Sequence, residues 1–158
     1  MQQMRRGAEH PRVAIIILNW NGWKDTIECL ESLLQIDYTN CHIIVVDNGS
    51  SDDSIEKIKS WARGEIPAES SFFEFDPSTK PVFLIEHDQS TIESGEIPNQ
   101  NDNATELPND RRFILLKLKE NRGFAGGNNI GILFALRDQT TKYIWLLNND
   151  TIVPAQAL

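Results

Sequence analysis

Cysteine is scarce in this chain. Cys29 and Cys41 stand alone, with no CxxC pair and no neighbouring histidine cluster. That usage suits a reducing cytoplasm better than a disulfide framework. The three histidines, His10, His42 and His87, are scattered and read as non-functional. No apolar run approaches the roughly 18 to 20 residues that span a bilayer. No apolar segment with a cleavage site follows Met1, so a secretory signal is not expected. Two phosphate-binding signatures are also missing. There is no GxGxxG, and no Gly-Lys-Ser/Thr of a P-loop. Positive charge is short overall, with a net charge of −8. Without a basic stripe, nucleic acid is not expected as a partner.

The acid is concentrated. Between Gly64 and Asp110 there are eleven acidic residues and one base, Lys80, while the remainder of the chain carries +2. The 158 residues suffice for a single domain with a real core. The expectation is one domain over 1–158, with a flexible N-terminus over 1–12 and an acidic insert over 64–110.

Val13 to Leu18 is a continuous, mostly β-branched apolar run, predicted as a central strand. Ile27, Leu30, Leu33 and Leu34 then recur at helical spacing within Trp23 to Gln35. Ile43 to Val46 predicts a second buried strand. Ser51 or Asp52 is placed to cap a helix reaching about Trp61. The insert breaks this rhythm. Pro81 to Ile85 predicts a short edge strand, and Asp88 to Asp110 reads as loop or disorder. Phe113 to Leu118 resumes as strand, and a glycine-rich stretch, Asn121 to Gly131, opens a helix ending near Arg137. Tyr143 to Leu147 predicts a strand covered on both faces. The alternation predicts an α/β fold: a Rossmann-like, mostly parallel sheet with helices on both faces and right-handed crossovers.

Four polar clusters each follow a predicted strand: Asn19-Trp20-Asn21, Asp47-Asn48-Gly49-Ser50, Asn121-Arg122-Gly123 and Asn148-Asn149-Asp150. Parallel strands bring all four to one sheet edge, where open α/β sheets bind their ligands. Gly123, Gly126 and Gly127 would let backbone approach a ligand closely. Asp150 is the carboxylate placed to meet a hard cation or a ribose.

Taken in order, Val-Ala-Ile-Ile-Ile-Leu-Asn-Trp-Asn-Gly, Ile-Val-Val-Asp-Asn-Gly-Ser-Ser-Asp, Glu-Asn-Arg-Gly-Phe-Ala-Gly-Gly-Asn-Asn-Ile-Gly and Trp-Leu-Leu-Asn-Asn-Asp-Thr resemble the motifs of family 2 glycosyltransferases. The spellings are most similar to rhamnosyltransferase-like members. The resemblance covers Val13 to Trp61 and Phe113 to Pro154, not the insert. It implies the nucleotide-binding half of a GT-A fold, a UDP- or dTDP-sugar donor, a Mg²⁺ or Mn²⁺ cofactor and inversion at the anomeric carbon. By position, Leu18, Asn19 and Trp20 would contact the base. Asp47 and Asn48 would read the base edge or ribose, and many members carry a second Asp where Asn48 stands. Asn121, Gly123 and Asn128 would shape the floor near the ribose and diphosphate, and Asn149 would touch the ribose. Asp150 would bind the cation, alone among the three positions of the family's DXD-type motif in keeping a carboxylate.

The resemblance also implies a glycan or lipid-linked acceptor and work in the cytoplasm, at the inner face of the membrane. The acceptor-binding half, the catalytic base and any peripheral membrane contact are expected beyond Leu158. The alternative is a non-catalytic nucleotide-binding fragment.

Overall fold

A computed structural model describes residues 10–95 and 112–158. Five parallel strands form one sheet in the order β3-β4-β2-β1-β5. They are β1 (Arg12–Asn19), β2 (Cys41–Asp47), β3 (Leu84–Asp88), β4 (Arg112–Lys117) and β5 (Thr141–Asn148). The helices are α1 (Trp23–Leu34), α2 (Ser54–Arg63), α3 (Gln89–Ser94) and α4 (Gly123–Ala135). This is the Rossmann-like α/β architecture that the alternation predicts.

Strand alternation sorts the core into two layers. Ile15, Ile17, Ile43, Val45 and Leu115 face α1 and α2, together with Ile27, Leu30, Leu33, Ile58 and Trp61. Ala14, Ile16, Ile44, Val46, Ile114 and Leu116 face the other way, where Ile92 of α3 and Ala135 of α4 cover them. Helices on both faces account for the unbroken apolar runs of β1, β2 and β4.

Five local expectations are corrected. β5 is not covered on both faces: it is an edge strand, with Tyr143 62% and Leu146 47% exposed. Its apolar run resembles that of β2, but among the described residues only β1 flanks it. The stretch after Asp88 is not all loop, since Gln89–Ser94 forms α3 and Ile92 is buried. The rest of that stretch, 96–111, lies outside the described residues. The edge strand of the insert begins at Leu84, past Pro81, where backbone N–H groups are again free to pair with β4. The N-cap of α2 is Asp53 rather than Ser51 or Asp52, although Asp52 Oδ1 accepts from Ser54 N–H at 3.0 Å. Finally, the end of the N-terminal segment is tied down. Arg12 opens β1, and Asn40 Nδ2 donates to the His10 carbonyl at 2.8 Å. Residues 1–9 lie outside the described residues.

The insert is bolted to α1 and α2 by its one base. Lys80 Nζ donates to Glu31 Oε2 at 2.7 Å and lies 4.5 Å from the centre of the Trp61 ring. Trp61 Nε1 donates to the same carboxylate oxygen at 2.7 Å. Both charged side chains are almost wholly buried, Lys80 at 4% and Glu31 at 1%.

Candidate functional site

The register sets Asn19 of β1 opposite Asp47 of β2, Asp47 opposite Lys117 of β4, and Leu18 of β1 opposite Asn148 of β5. All four polar clusters therefore leave the sheet at one edge. The chain order reverses at β1, with β2 on one side and β5 on the other. Loops diverge at such a point and leave a crevice.

Three of the loops share one chain of hydrogen bonds. Asn149 Nδ2 donates to Thr26 Oγ1 at 3.1 Å, and Thr26 Oγ1 donates to Asn19 Oδ1 at 2.7 Å. Asn19 Nδ2 donates to Asp47 Oδ2 at 2.8 Å. Ser50 completes the Asp47 shell with its backbone N–H at 3.0 Å and its hydroxyl at 2.7 Å. Asn21, held at φ 50°, closes the turn from the other side: its Oδ1 accepts from Ser51 N–H at 2.8 Å. Asparagine tolerates that left-handed backbone better than most residues.

A second lacing joins β2 to β4. Asn48 Nδ2 donates to Asn121 Oδ1 at 2.9 Å and to the Gly123 carbonyl at 3.1 Å, while its Oδ1 accepts from Arg122 N–H at 3.0 Å. An amide can both donate and accept here, which the carboxylate of an aspartate cannot. The asparagine at this position is thus fitted to its neighbours. Two glycines make room for the loops. A Cβ on Gly127 would lie 2.4 Å from Leu18 Cδ1, and one on Gly49 would lie 2.5 Å from the Glu120 backbone. Gly49 also has φ 71°, a conformation open chiefly to glycine.

The candidate residues divide into two layers. Asn19, Asp47, Asn48 and Asn128 are buried. Their side chains are spent inside the protein; Asn128 Nδ2 donates to the Phe124 carbonyl one helical turn back, at 2.9 Å. Trp20, Asn121, Gly123 and Asp150 are exposed, and Leu18 and Asn149 are half-buried. The inner layer shapes the crevice, and the outer layer is free to meet a ligand. Sequence reasoning missed Thr26, Ser50 and Asn21, which hold the loops. Ser50 and Asn21 stood in the polar clusters as turn residues. Thr26 gave no signal, because a threonine on a helix looks neutral until its partner is known.

A hard cation would meet little protein here. Among the described residues no three His, Cys, Asp or Glu side chains gather at one point. Cys29 lies beneath the loop, its Sγ 3.9 Å from the Asn148 carbonyl. Burial pushes its thiol up to about 12, so it supplies no thiolate. The exposed Asp150 carboxylate is an oxygen donor suited to Mg²⁺ or Mn²⁺, which keep several other ligands as water or phosphate oxygen. The residues fit such an ion only if the ligand supplies much of its shell.

Fold and loops together define an α/β protein whose strand ends open on loops lined with polar side chains. The model of glycosyl transferase family 2 matches residues 14–75 and supports a family 2 glycosyltransferase. That segment carries β1, α1, β2 and α2, hence Leu18, Asn19, Trp20, Asp47 and Asn48. No curated protein matches the chain.

Proposed function

We propose that this chain is the donor-binding part of a family 2 glycosyltransferase, taking a UDP- or dTDP-sugar and passing the sugar, with inversion, to a glycan or lipid-linked acceptor. Support comes chiefly from one observation. Four loops distant in sequence are laced into a single crevice with Asp150 free at its rim. In this reading Trp20 stacks on the base, and Asn121, Gly123 and Asn149 line the ribose and diphosphate. Asn19, Asp47, Asn48 and Asn128 hold the loops that do so, a structural share in the site rather than direct contact. Asp150 is the protein ligand for Mg²⁺ or Mn²⁺. When bound, that ion offsets the negative charge that builds on the departing diphosphate. The rhamnosyltransferase-like spelling of the motifs favours a deoxyhexose as the sugar.

Among the described residues, no helix is long and apolar enough to cross a membrane.

Nucleotide binding without transfer is the second reading. Asp47 favours it. Its two oxygens already accept three hydrogen bonds, so it is not available as the base for an acceptor hydroxyl. Thermal shift with Mn²⁺ and a panel of UDP, dTDP and GDP tests both readings. Stabilisation by the pyrimidine nucleotides alone is expected, and Asp150→Asn should abolish its dependence on Mn²⁺. No shift with any nucleotide would overturn both readings, and measured sugar transfer would retire the second.

A further inference from the structure

Across the first turn of α1 lies a groove of ≈ 410 Å³. Its size falls within the range of small-ligand sites. Trp23, Ile27 and Glu28 of α1 form one wall, Lys57 of α2 the second, and the strap Ile66 to Glu69 the third. The strap is a fixed wall, because the insert is held by the buried Lys80–Glu31 pair and by Val82 N–H donating to the Ala62 carbonyl at 2.7 Å.

The chemistry of the groove is mixed in a particular way. Its floor is apolar, with the half-buried Trp23 indole beside Ile27, Ile66 and Pro67. Lys57 Nζ lies 5.3 Å and Lys24 Nζ 5.6 Å from the centre of that indole ring. Asp25, Glu28 and Glu69 complete the rim. Trp23 Nε1 and the carboxylates of Asp25, Glu28 and Glu69 make no hydrogen bond or ion pair to any described residue. In the crevice floor, by contrast, both oxygens of the Asp47 carboxylate accept hydrogen bonds. Lys57 also pairs with Asp53 Oδ2 at 3.7 Å, so three carboxylates against two ammonium groups, one already engaged, disfavour a phosphate. A wholly apolar ligand would cover charged groups and return no hydrogen bonds. A polyhydroxylated ring meets both demands. Its C–H face lies on the apolar floor, and its hydroxyls donate to the carboxylates and accept from the lysines that sit over the indole.

We infer that the Trp23 groove is a saccharide-binding site, separate from the strand-end crevice. Its service to an acceptor glycan rests on the transferase reading; saccharide binding itself does not. The test uses the whole chain and follows the Trp23 indole N–H resonance, assigned with Trp23→Phe. Methyl α-rhamnoside, N-acetylglucosamine and cellobiose are titrated to about 50 mM, well above a millimolar Kd. A saturable shift is expected for at least one sugar, and Glu28→Gln should weaken it several-fold. Glu28 lies on the groove wall, so UDP binding with Mn²⁺ should be unchanged in that variant. No shift with any sugar would overturn the site, as would a shift that only inorganic phosphate produces. Sugar binding without UDP binding upholds the groove and removes the transferase reading. UDP binding without sugar binding does the reverse.

Discussion

β2 and β5 each carry an unbroken apolar run, yet the two runs live in different places. Cys-His-Ile-Ile-Val-Val-Asp is buried at all seven positions, between β1 and β4. Thr-Lys-Tyr-Ile-Trp-Leu-Leu-Asn is paired on one side only and leaves Tyr143 and Leu146 in solvent. An apolar run thus marks a strand, but its rank in the sheet depends on what pairs beside it. The helical cover differs as well. α1 and α2 close over β2 and its neighbours and are pinned there by Trp61, Glu31 and Lys80. Among the described residues no comparable device covers Tyr143.

The sharpest way to break the contrast is to remove the pin. Glu31→Ala would leave the Lys80 ammonium buried without its counter-charge and Trp61 Nε1 without its acceptor. We expect a loss of about 3–5 kcal/mol in urea unfolding. Replacing the pair together by Met and Leu should recover much of it, because two apolar side chains strand no charge. Next comes the strand itself. Ile44→Ala, at a position 1% exposed, should cost about 2–5 kcal/mol. Similar costs at Ile44 and Leu146 would deny that burial separates the two strands.

The foot of β2 adds a dependence on pH. His42 is pushed down to about 4 from 6.5, first by burial and then by Arg12 and Arg112, against the pull of Asp138. Its Nε2 has no hydrogen-bond partner among the described residues. The folded protein therefore keeps this imidazole neutral while the unfolded chain takes up a proton. Stability from this group is full above pH 6.5, falls as pH drops towards 4, and is lost below that. The swing is about 3 kcal/mol. His42→Gln should flatten the stability profile between pH 6.5 and 4; an unchanged slope would assign the acid sensitivity elsewhere.

The head of β2 is expected to respond less. Asn48→Asp would set a carboxylate against two acceptors, Asn121 Oδ1 and the Gly123 carbonyl. A loss of about 1–3 kcal/mol should follow, and nucleotide affinity should fall with it as the β4 loop is released. A variant as stable as the parent would mean that the asparagine is not needed for the lacing.

Much of this was legible in the sequence. Runs of apolar residues, β-branched in β1 and β2, give β1, β2 and β4, and the polar clusters after them leave the sheet at one edge. Sequence could not rank the strands, which cost the position of β5. It could not see that Asp47 and Asn19 are spent on each other, because whether a carboxylate faces a ligand or a serine depends on contacts between distant residues. Nor could it find α3. Six residues with one buried side chain, Ile92, carry too short a period to stand out from a polar insert.

The smallest expected change tests the exposed side of the contrast. Leu146 lies on the same face of β5 as Ile144 but remains 47% exposed, and Leu133 and Leu136 of the α4 region are exposed as well. Exposed apolar surface along a free strand edge invites association. Leu146→Lys removes apolar area that the fold does not bury, so urea unfolding should move by no more than about 0.5 kcal/mol. The same change should reduce binding of a hydrophobic dye to the native protein. A large loss of stability would mean that Leu146 is packed like Ile44. Unchanged dye binding would mean that β5 does not hold the apolar surface the dye detects.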